Sequence, residues 1–296
     1  MCTEEICLVT YSAVTVVNAI PSFKGAALSI EIPVRIYIKK LPRISQDLVY
    51  ARDVEFIKFL IERFREVTDI RDRFKIIVKS DIPPGSGLKS SSSVSAGLVI
   101  GLAAISEINT SFLDCIRLSC TASREYGVSI TGALDDATAS VLGGLVYTDN
   151  RSQTLEEHVD VNEYMYSLVM IFKNWKRPQD FDKRINMLRN MSTIFEKLYN
   201  FAKKDPFNAA YVNAIYVSSV LGYSYDVITR IMREFKPSCV GLSGNGPAVF
   251  VIDSDLEKLK NIVKKYEQLL GFHKIVRVLP ILREASMSVL DIRARR

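Results

Sequence analysis

Apolar residues recur in the first half of the chain with the spacings of both strands and helices. Residues 29–38 (SIEIPVRIYI) alternate and are rich in Ile and Val, which predicts a strand. Apolar positions 54, 57, 60, 61, 64 and 67 follow helical spacing and predict a helix over 51–68. The same patterns predict a strand at 74–78, helices at about 91–108, 111–126 and from 133 onward, and a strand at 145–149.

The second half follows a polar stretch without periodicity at residues 150–163. We place a domain boundary there, between residues 1–155 and 156–296. The patterns predict strands at 166–172, 248–253 and 274–279 and helices at about 181–203, 207–222, 225–235 and 255–270. This order suggests an antiparallel sheet covered by helices on one side.

Composition narrows the class of protein. The chain is 48% hydrophobic and 24% charged, which excludes a disordered, fibrous or coiled-coil protein. The charge of +6 is mild, and only residues 293–296 approach the basic run that a nucleic-acid binder needs. A solvated, slightly basic surface is the first interpretation of this charge, attraction to small anions such as phosphates or carboxylates the second, and nucleic acid the third.

The cysteines and the N-terminus bear on location. Five cysteines form no C-x-x-C pair, and with two histidines a zinc cluster is not expected. The longest apolar stretch, 94–105, is too short for a bilayer, and the N-terminus lacks a signal-peptide pattern. We expect a cytoplasmic protein without a membrane partner, and the oligomeric state stays open.

The loop at residues 83–93 (PPGSGLKSSSS) joins a predicted strand to a predicted helix. Gly85 and Gly87 permit backbone angles closed to other residues, and four serines then open the helix. A helix N-terminus with unpaired N–H groups suits a phosphate better than a simple turn requires. The loop matches neither Walker A nor G-x-G-x-x-G, and the companion motifs of serine β-lactamases are absent.

Two further segments are candidates for chemistry. Glu125 precedes the segment TGALDD, in which Asp135 and Asp136 could serve phosphoryl transfer as base or magnesium ligand. Neighbouring residues on a helix point about 100° apart, so only one of the two aspartates should face a site squarely. Read alone, these carboxylates could equally favour a helix dipole or face solvent. The glycine-rich stretch at 241–246 could serve a turn or a ligand.

Together the three segments resemble the GHMP kinase superfamily, which includes galacto-, homoserine, mevalonate and phosphomevalonate kinases. The superfamily loop P-x-x-x-G-L-G-S-S-A is matched except that Lys89 stands in place of its glycine before the serines. Its acidic segment has an aspartate seven residues before Gly-Gly and a magnesium-binding glutamate eleven residues earlier, where Asp136 and Glu125 stand. GLKSSS, ITGALDDA, SGNGPAVF and residues 13–27 are most similar to the archaeal type of shikimate kinase. The usual first superfamily motif, P-G-K/R-x-x-L-x-G-E-H, is missing.

The resemblance implies a two-domain α+β fold with a nucleotide in the cleft between the domains. The N-terminal domain would contain a left-handed β-α-β crossover, and the C-terminal domain would be ferredoxin-like. The implied activity is ATP- and Mg²⁺-dependent phosphorylation of the 3-hydroxyl of shikimate. A kinase for homoserine or mevalonate, or a silent ATP-binding regulator, remains an alternative.

The resemblance also implies roles for individual residues. Asp136 would be the base, and Ser90 or Ser91 with Glu125 would hold Mg²⁺. The residues expected to bind ATP are Pro84, Gly85, Ser86, Gly87, Leu88, Lys89, Ser90, Ser91, Ser92, Ser93, Gly244 and Gly246. Asp135 is a second substrate-side candidate, and the cations that could meet the carboxylate of shikimate are Lys24, Arg35, Lys176 and Arg177, with Lys24 first. Whether Lys89 meets phosphate or solvent is left open.

Overall fold

The computed structural model describes residues 5–161, 164–175, 178–282 and, for the backbone, 290–291. The strands are β1 Glu5–Val17, β2 Lys24–Leu41, β3 Leu48–Tyr50, β4 Arg73–Ser80, β5 Leu145–Asp149, β6 Thr154–Val159, β7 Tyr166–Phe172, β8 Cys239–Leu242, β9 Val249–Asp253, β10 Leu270–Arg277 and β11 Leu290–Asp291. The helices are α1 Val54–Thr68, α2 Ser90–Ile105, α3 Phe112–Tyr126, α4 Leu134–Leu142, α5 Phe181–Arg189, α6 Ser192–Ala202, α7 Pro206–Leu221, α8 Asp226–Phe235 and α9 Leu256–Tyr266.

The larger sheet is built around β2. Its strand order is β11-β1-β2-β4-β3, and β5 and β6 extend it from the other end of β2. The 18-residue β2 reaches well beyond the predicted range 29–38 because its two halves have different partners. Residues 34–41 pair with β4, and residues 24–28 pair with β5. The parallel pair β3 and β4 is joined through α1.

The smaller sheet has the antiparallel order β10-β7-β9-β8. This confirms the antiparallel sheet that the pattern suggested for the second half, and the mixed α+β fold with two sheets is as expected. The helix predicted over 181–203 is instead two helices, α5 and α6, with a break at residues 190–191.

The hydrophobic pattern did not predict β1, β3, β6, β8 or β11, and β1 and β6 escaped it for opposite reasons. Strand β1 is buried on both faces over much of its length, so its sequence does not alternate. Strand β6 lies in the polar stretch and has no fully buried position. It pairs with β5, so the larger sheet continues to Val159 and the boundary placed at 155/156 falls inside β6.

Helix α2 packs directly on the larger sheet because two of its residues lack side chains. A Cβ at Gly97 would lie 2.6 Å from Ile36 Cδ1, and one at Gly101 would lie 2.5 Å from Ile38 Cδ1. Glycine at these two positions therefore lets α2 approach β2 closely. Within the described residues no helix combines the length and apolarity needed to cross a bilayer, and the cysteines of that part are buried and unpaired.

Candidate active site

A cleft of about 760 Å³ opens where the loop before α2 meets the turn between β8 and β9. Its size is within the range of sites for small molecules and cofactors. The lining includes Gly85 to Ser92, together with Gly244 and Gly246 from the turn. Two of the three predicted segments therefore meet in one place, although about 150 residues separate them in the chain.

The loop takes a backbone course that favours glycine. Gly85, Gly87 and Lys89 have φ values of +62°, +81° and +65°, all in the left-handed region. A Cβ on Gly87 would overlap the carbonyl oxygen of Ser243. The Ser243 hydroxyl also donates to the Gly87 carbonyl at 2.8 Å, so the turn and the loop are locked together.

The N-terminus of α2 faces the cleft without a side-chain cap in the described structure. Ser90, Ser91 and Ser92 line the cleft at this end, so they stand beside unpaired helix N–H groups. Ser93 has a different role: it is buried, and its Oγ lies 2.6 Å from the Tyr11 carbonyl oxygen. Ser93 and Pro84 are not among the lining residues, whereas Pro83 is.

Hydroxyl groups of β1 form hydrogen bonds to the loop, to α2 and to the glycine-rich turn. Ser12 Oγ donates to the Leu88 carbonyl at 2.9 Å, and Thr10 Oγ1 donates to the Ser93 carbonyl at 3.0 Å. Thr15 Oγ1 accepts from the backbone N–H of Gly244 at 2.8 Å. Strand β1 therefore holds in place both the loop at residues 83–93 and the glycine-rich turn between β8 and β9.

Lys89 and Asp136 form an ion pair inside the cleft. Lys89 Nζ lies 3.0 Å from Asp136 Oδ1, and the two side chains are only 9% and 11% exposed. Burial raises the pKa of Asp136, while the Lys89 ammonium opposes that rise. Lys89 therefore faces inward toward the candidate base rather than toward solvent.

Asp135 also lines the cleft, but it has other partners. Its Oδ1 accepts from Asn150 Nδ2 at 2.9 Å, and the residue is buried. Burial, together with the neighbouring charge of Asp136, raises the pKa of the Asp135 carboxyl. The two consecutive carboxylates thus diverge, as successive helix positions require, yet both border the cleft.

The structure does not bring Glu125 to the cleft. Ser123 lies on the cleft side of α3, and Glu125, two residues later, points about 200° further around the helix. Glu125 instead pairs with Arg63 Nε on α1 at 2.8 Å, where its side chain is 38% exposed. Glu125 was predicted as a magnesium ligand from its spacing to Asp136, but the structure does not place its carboxylate at the cleft.

Lys24, the first candidate for the substrate carboxylate, also lies away from the cleft lining. Its Nζ is 2.6 Å from Glu156 Oε1 and 3.7 Å from Asp149 Oδ2. Arg35 is exposed on β2, outside the lining, and residues 176 and 177 (Lys176 and Arg177) lie outside the described residues. In the described part of the chain, Lys89 is the one lysine or arginine that lines the cleft.

Several lining residues had no sequence signal of their own. Asn18 donates through Nδ2 to the Gly244 carbonyl at 3.1 Å and to Asn245 Oδ1 at 3.0 Å. Both asparagines stand inside stretches that carried the resemblance, which is the signal that could have found them. The Trp175 and Tyr223 rings stack at 5.5 Å and border the cleft, but lone aromatics in separate segments carry no pattern.

Comparison with known proteins shows which families and folds this chain is similar to. The family model of the GHMP kinases N-terminal domain matches residues 54–144. A shikimate kinase of Pyrococcus furiosus is 30% identical over 86% of this chain and 94% of that protein. One of Archaeoglobus fulgidus is 32% identical over 83% of this chain and 84% of that protein. The crystal structure of Lactococcus lactis galactokinase with galactose superposes with a TM-score of 0.74 at 13% identity, covering 95% of each chain, which shows the fold alone.

Proposed function

The chain belongs to the archaeal shikimate kinases of the GHMP kinase superfamily, and we propose that it transfers the γ-phosphoryl group of ATP to the 3-hydroxyl of shikimate. The observation that carries the chemistry is the buried pair of Lys89 and Asp136 beside the uncapped N-terminus of α2. A cation, a base and an anion-binding helix end meet there in one cleft. These are the parts that phosphoryl transfer needs from a protein.

ATP would lie with its phosphates over residues 85–92. The backbone of the loop is turned by left-handed residues, and the N–H groups at the start of α2 supply a partial positive charge. Lys89 Nζ adds a full charge close to the transferred group. Because the pair is shielded from water, that charge acts more strongly than it would at the surface.

Asp136 would orient the acceptor hydroxyl and take its proton. The hydroxyl oxygen then forms a bond to the γ-phosphorus as the bond from phosphorus to the bridging oxygen of ADP breaks. Lys89, 3.0 Å from Asp136 Oδ1, favours the ionised carboxylate that can accept the proton. Most of the rate enhancement would come from positioning and electrostatics.

The oxygen donors of the cleft fit magnesium. No group of three or more acidic, His or Cys side chains within the described residues could hold a metal by itself. Mg²⁺ commonly takes one or two protein oxygens together with phosphates and water, and the hydroxyls of Ser90 and Ser91 stand where the phosphates would lie. When bound with ATP, Mg²⁺ would neutralise charge that develops on the phosphate oxygens. Glu125 has no part in this proposal.

The aromatic wall supports a ring-shaped acceptor. Trp175 and Tyr223 stack with an interplanar angle of 25°, and both residues border the cleft. A cyclohexene ring suits such a wall better than the open chain of homoserine or mevalonate does. This favours shikimate among the alcohols that related kinases use.

Asp136→Asn tests the assignment of the base. With shikimate and Mg-ATP, we expect ADP release to fall by about 10²–10⁴-fold, because the amide cannot take the proton. ATP binding, measured by calorimetry, should persist. Asp253→Asn is a matched control, since Asp253 is also buried and pairs with a lysine, Lys258, at 2.7 Å in the smaller sheet. Normal turnover in a folded Asp136→Asn variant would exclude Asp136 as the base.

A further inference from the structure

Asn150 connects two cleft-lining side chains through one buried amide. Its Nδ2 donates to Asp135 Oδ1 at 2.9 Å and to Thr131 Oγ1 at 3.1 Å. Asn150 itself is 0% exposed and follows directly after β5. The Thr148 hydroxyl donates to Asn150 Oδ1 at 2.7 Å, which fixes the end of the amide that faces the pair. Both amide N–H groups are therefore committed to cleft residues.

This arrangement leaves the hydroxyl proton of Thr131 available to a ligand. Thr131 Oγ1 already accepts from Asn150 and from the backbone N–H of Ala133, at 3.2 Å. A hydroxyl has two acceptor positions and one proton, so the proton must be donated elsewhere. No acceptor in the described part of the chain takes it, and Thr131 lines the cleft. Thr131 is thus poised as a donor into the cleft.

Asp135 is held just as firmly on its other side. A Cβ on Gly25 would lie 2.5 Å from Asp135 Oδ2, so only glycine leaves the carboxylate in this position. Asn150 fixes the opposite oxygen. The carboxylate is therefore confined between Gly25 and Asn150, at the edge of the cleft.

We propose that Asn150 positions Thr131 and Asp135 to bind the acceptor hydroxyl next to the one that is phosphorylated. Thr131 donates to that hydroxyl, and Asp135 accepts from it. Although their side chains diverge on α4, Asp135 and Asp136 both border the cleft, so a vicinal hydroxyl can meet Asp135 when the reacting hydroxyl meets Asp136. The cleft therefore selects acceptors with a neighbouring hydroxyl over simple alcohols. This inference rests on the proposed function and adds a specificity subsite to it.

The test compares shikimate with an analogue that lacks the 4-hydroxyl. For the wild-type protein we expect kcat/KM to favour shikimate by at least about 100-fold, because the analogue leaves buried polar groups unpaired. Thr131→Val and Asn150→Ala should each reduce that preference by about tenfold or more, with the KM for ATP unchanged. Thr131→Ser keeps the hydroxyl and should keep the preference.

Thr138→Val is the matched control, because Thr138 is buried in α4 but does not line the cleft. It should leave the preference unchanged, and thermal unfolding would be followed for every variant. Equal kcat/KM for the two acceptors, or an unchanged preference in both Thr131→Val and Asn150→Ala, would overturn the inference and leave the proposed function standing. Absence of wild-type turnover with shikimate itself would overturn the proposed function and, with it, this inference.

Discussion

Lys89 departs from the loop pattern in a way that strains the backbone. It has a φ of +65°, a left-handed conformation that costs a residue with a Cβ about 1 kcal/mol. The superfamily pattern avoids that cost with glycine at this position. The side chain gives a reason for the exception, because its ammonium is buried against Asp136. The left-handed backbone at Lys89 therefore coincides with a buried ion pair to Asp136.

Comparing Lys89→Gly with Lys89→Ala separates the charge from the strain. Both variants lose the ammonium, so both should lose turnover with shikimate by about 10²-fold or more. The glycine variant should be more stable than the alanine variant by about 1 kcal/mol in urea unfolding, since glycine accepts the left-handed conformation. Full activity in Lys89→Gly would show that the cation is dispensable.

Where a local motif fixes the geometry, the residues predicted for the site lie close together. Residues 84–93 were expected to bind ATP with Gly244 and Gly246, and all of them except Pro84 and Ser93 line one cleft. Glu125 was expected there from its spacing to Asp136 in the GHMP kinase pattern, but that spacing does not specify which side of α3 the side chain takes. The helix turns Glu125 toward Arg63. The sequence pattern could not indicate Asn150, because this residue follows β5 and its partners lie elsewhere in the chain. Thr131 precedes α4, and Asp135 lies in α4.

Among the elements, β1 and the glycine-rich turn fix the position of the loop at residues 83–93. The hydroxyls of β1 bond to the loop from one side, and Ser243 bonds to Gly87 from the other. Helical spacing of apolar residues predicted α1, and the capping signal at Ser111 predicted the start of α3. Helix α2 is buried on nearly every side and has no side-chain cap, so its run of small apolar residues was the signal. Strand β1 is mostly buried on both faces, so no alternation revealed it.

Gly87→Ala should separate the loop from the turn. Its Cβ would overlap the carbonyl oxygen of Ser243 at a φ of +81°, so we expect a loss of about 2–4 kcal/mol in the free energy of unfolding. The KM for ATP should rise at least tenfold. Gly85→Ala is the matched control: it has a φ of +62° but no atom within 4 Å, so it should lose only about 1 kcal/mol. Equal losses in the two variants would contradict the close approach.

At the scale of the whole molecule, a charged cluster joins the larger sheet to the helices of the second half. Glu156 on β6 lies 2.6 Å from Lys24 Nζ and 2.9 Å from Lys203 Nζ. The Tyr199 hydroxyl of α6 donates to Glu156 Oε2 at 3.1 Å. These hydrogen bonds overcome the effect of partial burial and lower the pKa of Glu156 to about 2. Lys24, first considered for the substrate, therefore has a structural role here.

The ion pairs of Glu156 should make the free energy of unfolding depend on pH in the acidic range. A carboxyl whose pKa falls on folding stabilises the protein above its ordinary value of 4.5 and loses that contribution as pH falls toward about 2. Glu156→Gln should therefore lose about 1–2 kcal/mol of unfolding free energy at pH 7, an amount discounted for solvent screening. The difference from the wild-type protein should shrink between pH 4.5 and about 2. Glu157→Gln, the same change at the more exposed neighbour, should lose less, and a constant difference across this range would contradict the account.

The most direct test of the whole account is the choice of acceptor. ADP release from the purified protein with Mg-ATP would be measured side by side with shikimate, homoserine, mevalonate and no acceptor. We expect strong, magnesium-dependent turnover with shikimate alone, because the cleft combines an uncapped helix N-terminus, an aspartate paired with a lysine and two stacked aromatic rings. Turnover with homoserine or mevalonate instead, or ATP binding without turnover on any acceptor, would contradict it.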